Sequence, residues 1–114
     1  MDLDTLREIC VAKPGATEEL QWEVHLLYKV GGRIFCIGSL NQEDGVVLKV
    51  PEEEFDELTA QPGIKQAGHM AKRMWIHIGE GNKLNLKQWK QQIDVSYDLI
   101  KSKLPKKVQA ALNG

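Results

Sequence analysis

The spacing of apolar residues predicts a helix at the start of the chain. Positions three or four residues apart are apolar from Leu3 to Cys10, and Asp2 or Asp4 can cap the helix that they form. Pro14-Gly15 ends this helix, since proline cannot continue it and glycine accepts the left-handed conformation that follows a helix. Residues 16–24 are mostly polar and acidic, and we expect them to form a connecting loop or a short turn.

A β-hairpin is the clearest local feature of the sequence. Two strand-like segments, 25–30 and 33–37, flank Gly31-Gly32, a connection suited to the positive φ angles of a tight turn. The connection predicts three cross-strand pairs: Val30 with Arg33, Tyr28 with Phe35, and Leu26 with Ile37. One side of the hairpin is then large and aromatic, which marks it as the core side. The other side is mixed and carries Leu27, Lys29, Ile34 and Cys36.

A third antiparallel strand and a short acidic helix follow the hairpin. Residues 46–50 form the strand, on which Lys49 is expected to share the mixed face with Lys29. Pro51 suits the first position of a helix, and the three glutamates that follow it complement the positive end of the helix dipole. The inward residues of this helix are Phe55 and Leu58.

The C-terminal half begins with a basic loop and ends with the longest predicted helix. Residues 64–73 are loop-like and basic, and residues 74–78 alternate as a strand. Asn85 with Gln88 has the pattern of a capping box. The helix that follows carries an apolar stripe, formed by Leu86, Trp89, Ile93, Tyr97, Ile100 and Leu104. Pro105 closes the helix, and a basic tail begins at Lys106-Lys107.

The order of these elements predicts the fold class. Helix, three strands, helix, one or two strands and helix form an α+β fold, with residues 1–114 as a single two-layer domain around one antiparallel sheet. Apolar residues make up 42% of the chain and charged residues 27%, as in globular proteins. No apolar run is long enough to span a bilayer and no secretory leader is visible, so we expect a cytoplasmic protein. Cys10 and Cys36 are expected to be buried, reduced thiols.

Charge is divided unequally along the chain, although its net value is −1. Residues 1–60 contain five basic and thirteen acidic residues, a charge of −8. Residues 61–114 contain ten basic and three acidic residues, a charge of +7. This asymmetry suggests a surface that attracts an anion, such as nucleic acid or a phosphorylated ligand. In the alternative interpretation the two halves interleave in the fold and their charges offset one another.

The sequence contains no signature of catalysis or of a cofactor. Its three histidines and two cysteines lack the spacing of a metal site, so we predict no metal and no cofactor. Cys36 lies in an apolar strand, where burial raises the pKa of a thiol and disfavours a nucleophile. The carboxylates of residues 52–57 are explained by a solvated helix face. We therefore predict that the protein is not an enzyme.

A basic segment between residues 65 and 75 carries the candidate chemistry. Clustered cations on a loop can bind phosphates, and a neighbouring aromatic ring can stack on bases. The candidate DNA-binding residues are Lys65, His69, Lys72 and Arg73, joined by Lys29 and Lys49 on the strands. Trp75 is expected to be a core residue of its strand. The acidic residues 52–57 cannot lie against a phosphate backbone and are expected to lie away from this site.

Motifs along nearly the whole chain resemble the MmcQ/YjbR family of small bacterial proteins, which are uncharacterised. The matching segments, in order, are Pro14-Gly15-Ala16-Thr17-Glu18 with Trp22, Tyr28-Lys29-Val30-Gly31-Gly32-Arg33-Ile34-Phe35, Leu48-Lys49-Val50-Pro51-Glu52, Pro62-Gly63, Gly68-His69-Met70 with Lys72-Arg73 and Trp75, and Ser96-Tyr97-Asp98-Leu99-Ile100 with Leu104-Pro105. The resemblance implies a fold similar to the secretion-chaperone-like class, and the family is commonly described as DNA-binding.

Two functions therefore compete at the level of sequence. The first is a non-enzymatic domain that binds duplex DNA weakly, through the basic residues named above. The second is a module for interaction with a protein partner or a small ligand, in which the mixed face of the sheet would expose Leu27, Ile34 and Val47. Neither hypothesis involves a membrane.

Overall fold

The computed structural model describes residues 1–113, except for the side chains of Gln42 and Asn113, and its centre is one six-stranded sheet. The strands are β1 (Thr17–Gln21), β2 (His25–Val30), β3 (Arg33–Ser39), β4 (Val46–Lys49), β5 (Ile64–Gln66) and β6 (Trp75–Ile78). Their order in the sheet is β1-β2-β3-β4-β6-β5, and every neighbouring pair is antiparallel. The first four strands thus form a meander, and β6 lies between β4 and β5.

The helices are α1 (Leu3–Val11), α2 (Phe55–Thr59), α3 (Leu86–Lys101) and α4 (Lys106–Asn113), with short 3-10 helices at Gln42–Asp44 and Glu52–Glu54. The predicted α+β class is confirmed. So are two predicted helix starts: Asp2 caps α1 by accepting from the Thr5 N–H, and Asn85 and Gln88 form the capping box of α3. None of the helices in the described part of the chain is long and apolar enough to cross a membrane.

The predicted apolar stripe of α3 forms the centre of the core, with one exception. Trp89, Ile93, Tyr97 and Ile100 are all buried, and Leu104 is buried just beyond the helix. Leu86 was predicted to belong to the same stripe, but its side chain is 51% exposed. It lies in the first turn of α3, where it lines a surface groove between α1 and α3 and does not reach the sheet.

Three elements lie where the sequence predicts a loop or a tail. Residues 17–21, predicted to be a loop or turn, form β1, an edge strand whose residues are polar because most of them stay in contact with solvent. Residues 64–66, predicted to belong to a basic loop, form the short edge strand β5. The predicted basic tail is the helix α4, because Val108 and Leu112, four residues apart, pack against the core.

A β-bulge changes the predicted register of the β2–β3 hairpin. The turn itself is confirmed, since Gly31 and Gly32 have φ angles of 59° and 80° and Val30 pairs with Arg33. Beyond this pair the register shifts: Lys29 pairs with Ile34, and the next pair joins Tyr28 to Cys36, so Phe35 is the extra residue. The predicted pairs of Tyr28 with Phe35 and of Leu26 with Ile37 are therefore wrong.

The bulge also moves Cys36 from the predicted mixed face to the helix side of the sheet. Phe35 and Cys36 are both fully buried. The ring of Phe35 meets that of Tyr97 on α3 edge to face, with centroids 5.3 Å apart, and the Cys36 thiol contacts Cys10 on α1. Two consecutive residues of β3 thus face the helices, which normal strand alternation does not allow.

Candidate functional site

Arg73, one of the candidate DNA-binding residues, is held against the acidic segment. Its guanidinium forms two hydrogen bonds with the Asp56 carboxylate, at 2.9 and 3.0 Å, and lies 3.8 Å from Glu52 and over the ring of Phe55. The hydrogen bonds and charge of Asp56 raise the pKa of Arg73, and those of Arg73 lower the pKa of Asp56. The expectation that residues 52–57 lie away from the basic loop is therefore wrong, because Arg73 bridges the two.

The other basic residues of this segment remain at the surface. Lys65, His69 and Lys72 are exposed, and no described carboxylate forms an ion pair with either lysine. Lys65 lies on β5 and pairs in register with His77 on β6, so the two side chains share one face of the sheet. Trp75 is buried, as predicted. Among the predicted binding residues of this segment, Lys65 and Lys72 therefore carry positive charges that no described ion pair offsets.

Lys29 and Lys49, the two candidate lysines of the strands, differ in their surroundings. Lys29 forms an ion pair of 2.6 Å with Glu19 on the neighbouring strand β1. The hydrogen bond from Lys29 is the main cause of the lowered pKa of Glu19. The positive charge of Lys29 is therefore offset locally, whereas no described carboxylate forms an ion pair with Lys49.

Lys49 belongs instead to a group of three cations that we call the edge cluster: Arg33, Lys49 and Lys103. Burial lowers the pKa of Lys49, and the neighbouring charges of Lys103 and Arg33 lower it further. The hairpin turn brings these residues together, because Gly31 packs so closely against Leu104 that a Cβ on Gly31 would lie 2.6 Å from the leucine side chain. Arg33 and Lys103 are the exposed members of the cluster.

A cavity of about 320 Å³ opens on the sheet face opposite α3, which we call the open face. The face is identified by alternation, since Leu27, Ile37 and Val47 point away from the side on which Tyr28 and Leu48 are buried. The rim and floor of the cavity are formed by Trp22, His25, Leu27, Ile37, Val47 and His77, with Asp44 and Gly68 beside them. Leu27, expected to be exposed on the mixed face, is 6% exposed and forms part of the floor.

His77 is fixed at one side of this cavity. Its Nε2 lies 2.6 Å from the backbone carbonyl of Asp44, which can only accept, so Nε2 carries the proton. Nδ1 is buried and has no hydrogen-bond partner among the described residues. Gly45 and Gly79 make room for the ring, since a Cβ on either glycine would lie 2.8 Å from an imidazole atom. The ring is therefore held in one orientation.

Trp22 is the most exposed large apolar side chain described in the structure, at 79%. It lies in the turn between β1 and β2, where Trp22 and Glu23 have φ angles of 50° and 66°. Non-glycine residues rarely adopt this conformation, and two in succession indicate a backbone held under strain. The indole meets the His25 ring edge on, with centroids 6.0 Å apart. One face of the cavity is thus bordered by two aromatic rings.

The sequence contains the residue types of the cavity and the edge cluster, but it does not show which of these residues lie close together in the fold. Trp22 falls in a segment predicted to be a loop, and His77 falls in a predicted strand without the spacing of a metal ligand. Arg33 and Lys103 are far apart in the sequence, and the α3 end and the β2–β3 turn bring them to Lys49. The one signal in the sequence that could indicate this site is a tryptophan within a predicted loop, because loops carry binding residues more often than cores do.

Comparison with known proteins identifies relatives in both sequence and structure. A family model described as YjbR matches residues 11–99. The crystal structure of the Deinococcus radiodurans protein DR2400, which has a DUF419 domain, is similar with a TM-score of 0.84 and 23% identity, covering 97% of this chain and 87% of that chain. A Pseudomonas syringae protein is similar with a TM-score of 0.71 and 20% identity, covering 88% and 99%. Similarity at this level establishes the fold alone, and no curated protein matches the chain.

Proposed function

The chain belongs to the YjbR family, and we propose that this member is a non-enzymatic domain that binds nucleic acid through the edge cluster of Arg33, Lys49 and Lys103. One observation carries the proposal: three cations converge, and no described carboxylate forms an ion pair with any of them. Placing like charges together costs free energy, which a bound anion offsets. A phosphate backbone supplies such anions in a row.

Lys65 adds an exposed cation to those of the edge cluster, whereas the loop containing Arg73 does not. Arg73 is already paired with Asp56, and the neighbouring glutamates would repel a phosphate brought close to it. The proposed interface therefore retains Lys49 and Lys65 from the residues predicted by sequence, and adds Arg33 and Lys103. With about four phosphate contacts, binding is expected to be weak and strongly dependent on salt.

A binding role is also supported by the state of the two thiols. Cys36 hydrogen-bonds with Cys10, and this contact, together with burial, raises the pKa of Cys36 well above its usual value. A thiol in that state is a poor nucleophile, because the thiolate is the reactive form. Two adjacent free thiols also suit a reducing compartment, so we propose that the protein acts in the cytoplasm.

A second candidate function, the binding of a small ligand, is favoured by the cavity on the open face. Its volume of about 320 Å³ lies at the lower end of the range typical of ligand sites, about 300–1,000 Å³. Apolar side chains form its floor, and His25, His77 and Asp44 are polar groups at its border. An apolar lining with a few polar groups is typical of sites that bind small molecules.

The test of the proposed function is fluorescence anisotropy with labelled duplex DNA of two unrelated sequences. For about four contacts, the slope of log affinity against log salt is expected to be near −3.6, so that affinity falls about a hundredfold between 50 and 200 mM salt. The double variant Arg33→Ala, Lys103→Ala removes two contacts and should bring the slope to about −1.8. The effect should be equal for both sequences, since phosphate contacts do not read bases.

The matched control is the double variant Lys83→Ala, Lys87→Ala, which removes the same charge at the other end of α3. Both lysines are exposed and belong to none of the surfaces described above. Their substitution should leave the salt slope near that of the unmodified protein. Absence of binding at 50 mM salt, or equal effects of the two double variants, would reject the edge cluster as the interface.

A further inference from the structure

Two lysines of the proposed interface, Lys49 and Lys65, lie on the same face of the sheet as the cavity. Val47, on the cavity floor, and Lys49 are two residues apart on β4, so their side chains point to the same face about 7 Å apart. Lys65, paired with His77, extends the positive charge along β5 on that face. An aromatic and apolar region is therefore followed by a basic region across one continuous surface.

The aromatic region of the open face is suited to stacking. Trp22 is 79% exposed and presents its indole at the rim of the cavity, where the ring meets that of His25 edge on. Aromatic side chains at a surface contribute binding energy when a base stacks on them, whatever the identity of the base. A ring held in place before binding loses little conformational freedom when it is covered.

The polar groups of the cavity favour a base over a phosphate. The Asp44 carboxylate at the border of the cavity accepts one hydrogen bond from the Ser39 hydroxyl and one from the Asn41 side-chain amide, and it retains further acceptor positions. This carboxylate repels a phosphate, but it can accept a hydrogen bond from the exocyclic amino group of a base. Phosphates are instead attracted to Lys49, two residues from Val47 on β4, and to Lys65, which pairs with His77.

We propose that the open face binds single-stranded nucleic acid, with one unstacked base against Trp22 in the cavity and the adjoining phosphates at Lys49 and Lys65. A cavity of about 320 Å³ accommodates a single ring system, and the bases of a duplex are stacked and paired and cannot enter it. This inference rests on the proposed function and goes further, because it specifies the strandedness of the ligand and a stacking residue. Charge complementarity selects a nucleic acid strand over an apolar peptide.

The experiment compares one labelled single strand of about 12 nucleotides with the duplex made from it, by anisotropy at the lowest salt of the range, about 50 mM. The single strand should bind at least about tenfold more tightly than the duplex, because stacking adds to the electrostatic attraction. Trp22→Ala should remove that advantage and leave duplex binding unchanged. Trp22→Phe should restore most of it, because the substituted ring still stacks.

A control variant, tryptophan emission and folding measurements separate stacking from a loss of structure. Leu86→Ala removes another exposed apolar side chain, at the first turn of α3, and should affect neither ligand. Stacking on Trp22 should also quench the emission of this exposed tryptophan, since Trp75 and Trp89 are buried, and the quenching should be lost in Trp22→Phe while binding persists. Circular dichroism spectra and melting curves of all variants verify that each is folded.

The outcomes distinguish this inference from the proposed function. If the duplex and the single strand bind equally well and Trp22→Ala changes neither, the inference is overturned and the electrostatic function stands. If neither ligand binds, both fail. If a free nucleoside binds in the cavity but the single strand has no advantage over the duplex, the cavity is a small-ligand site and the inference is again overturned.

Discussion

The Ser96 hydroxyl on α3 donates a hydrogen bond of 2.5 Å to the backbone carbonyl of Phe35 on β3. The same hydroxyl accepts a bond of 2.8 Å from the backbone N–H of Lys49 on β4. Ser96 thus bridges the two strands at the point where the bulge at Phe35 interrupts their direct pairing. Backbone groups buried in this way need a partner, and here a helix side chain supplies it.

Ser96→Ala is expected to destabilise the fold by about 1–3 kcal/mol, because a buried donor and a buried acceptor lose their partner. Urea unfolding monitored by circular dichroism measures this change. The control is Ser102→Ala, since Ser102 is exposed at the end of α3 and donates to the Leu99 carbonyl. A loss for Ser96→Ala no greater than that of the control would contradict the bridging role. Because Lys49 belongs to the edge cluster, the variant should also weaken nucleic acid binding.

The core face of α3 gives a second stability prediction. Trp89→Ala or Ile93→Ala should each destabilise by about 2–5 kcal/mol, as large-to-small substitutions in a core do. Leu86→Ala should cost less than about 0.5 kcal/mol, because the side chain is half exposed. Equal losses for all three variants in urea unfolding would show that the stripe is not buried as described.

The helices and the hairpin turn could be predicted from the sequence because the core residues recur with a regular spacing. The α3 stripe, the capping box at Asn85 and the Gly31-Gly32 turn each follow from local rules and are confirmed. The bulge could not be predicted in the same way. Phe35 and Cys36 are both apolar, so the pattern does not reveal that two consecutive residues face the helices. Contacts with Tyr97 and Cys10, distant in sequence, stabilise that arrangement.

The candidate site was less predictable, because it depends on which charges meet in space. Arg73 appears free in the sequence, and its partner Asp56 lies 17 residues away on another element. The edge cluster joins residues from a hairpin, a strand and the end of a helix, and no local pattern links them. The sequence indicates Lys49 and Lys65 as candidate binding residues. Lys103 becomes a candidate only in the structure, where the packing of Leu104 against Gly31 brings it to the hairpin turn.

The two glycines of the hairpin turn should respond differently to substitution. Both have positive φ angles, so Gly31→Ala and Gly32→Ala should each cost about 1 kcal/mol or more through backbone strain. Gly31→Ala should cost more, because its Cβ would lie 2.6 Å from Leu104, whereas nothing lies within 4 Å of a Cβ on Gly32. Valine at both positions should destabilise further. Equal unfolding midpoints for the two alanine variants would contradict the packing of Leu104 on the turn.

The ion pair between Asp56 and Arg73 should make stability depend on pH. Arg73 lowers the pKa of Asp56 in the folded protein, so the pair stabilises the fold above the unfolded pKa of about 3.9. This contribution disappears as the pH falls through the lower folded pKa, where the carboxylate becomes protonated. Asp56→Asn should therefore lower the urea midpoint at pH 7, and the difference from the unmodified protein should shrink in acid. Glu57→Asn, which alters an exposed carboxylate that forms no ion pair with a described cation, provides the control.

Substitutions in the basic loop that contains Lys72 and Arg73 should affect nucleic acid binding less than substitutions in the edge cluster. Arg73→Ala should reduce stability but change the salt slope little, because Asp56 and Glu52 already offset its charge. Lys72→Ala removes an exposed and unpaired cation and should lower the slope by at most about 0.9, the contribution of one phosphate contact. The double variant at both loop positions should therefore fall well short of the change of about 1.8 expected for Arg33→Ala with Lys103→Ala. Anisotropy over the same salt series measures all of these variants together. A larger effect from the Lys72 and Arg73 double variant than from the Arg33 and Lys103 double variant would show that nucleic acid binds at the basic loop. The Arg73–Asp56 ion pair would then have to open when nucleic acid binds.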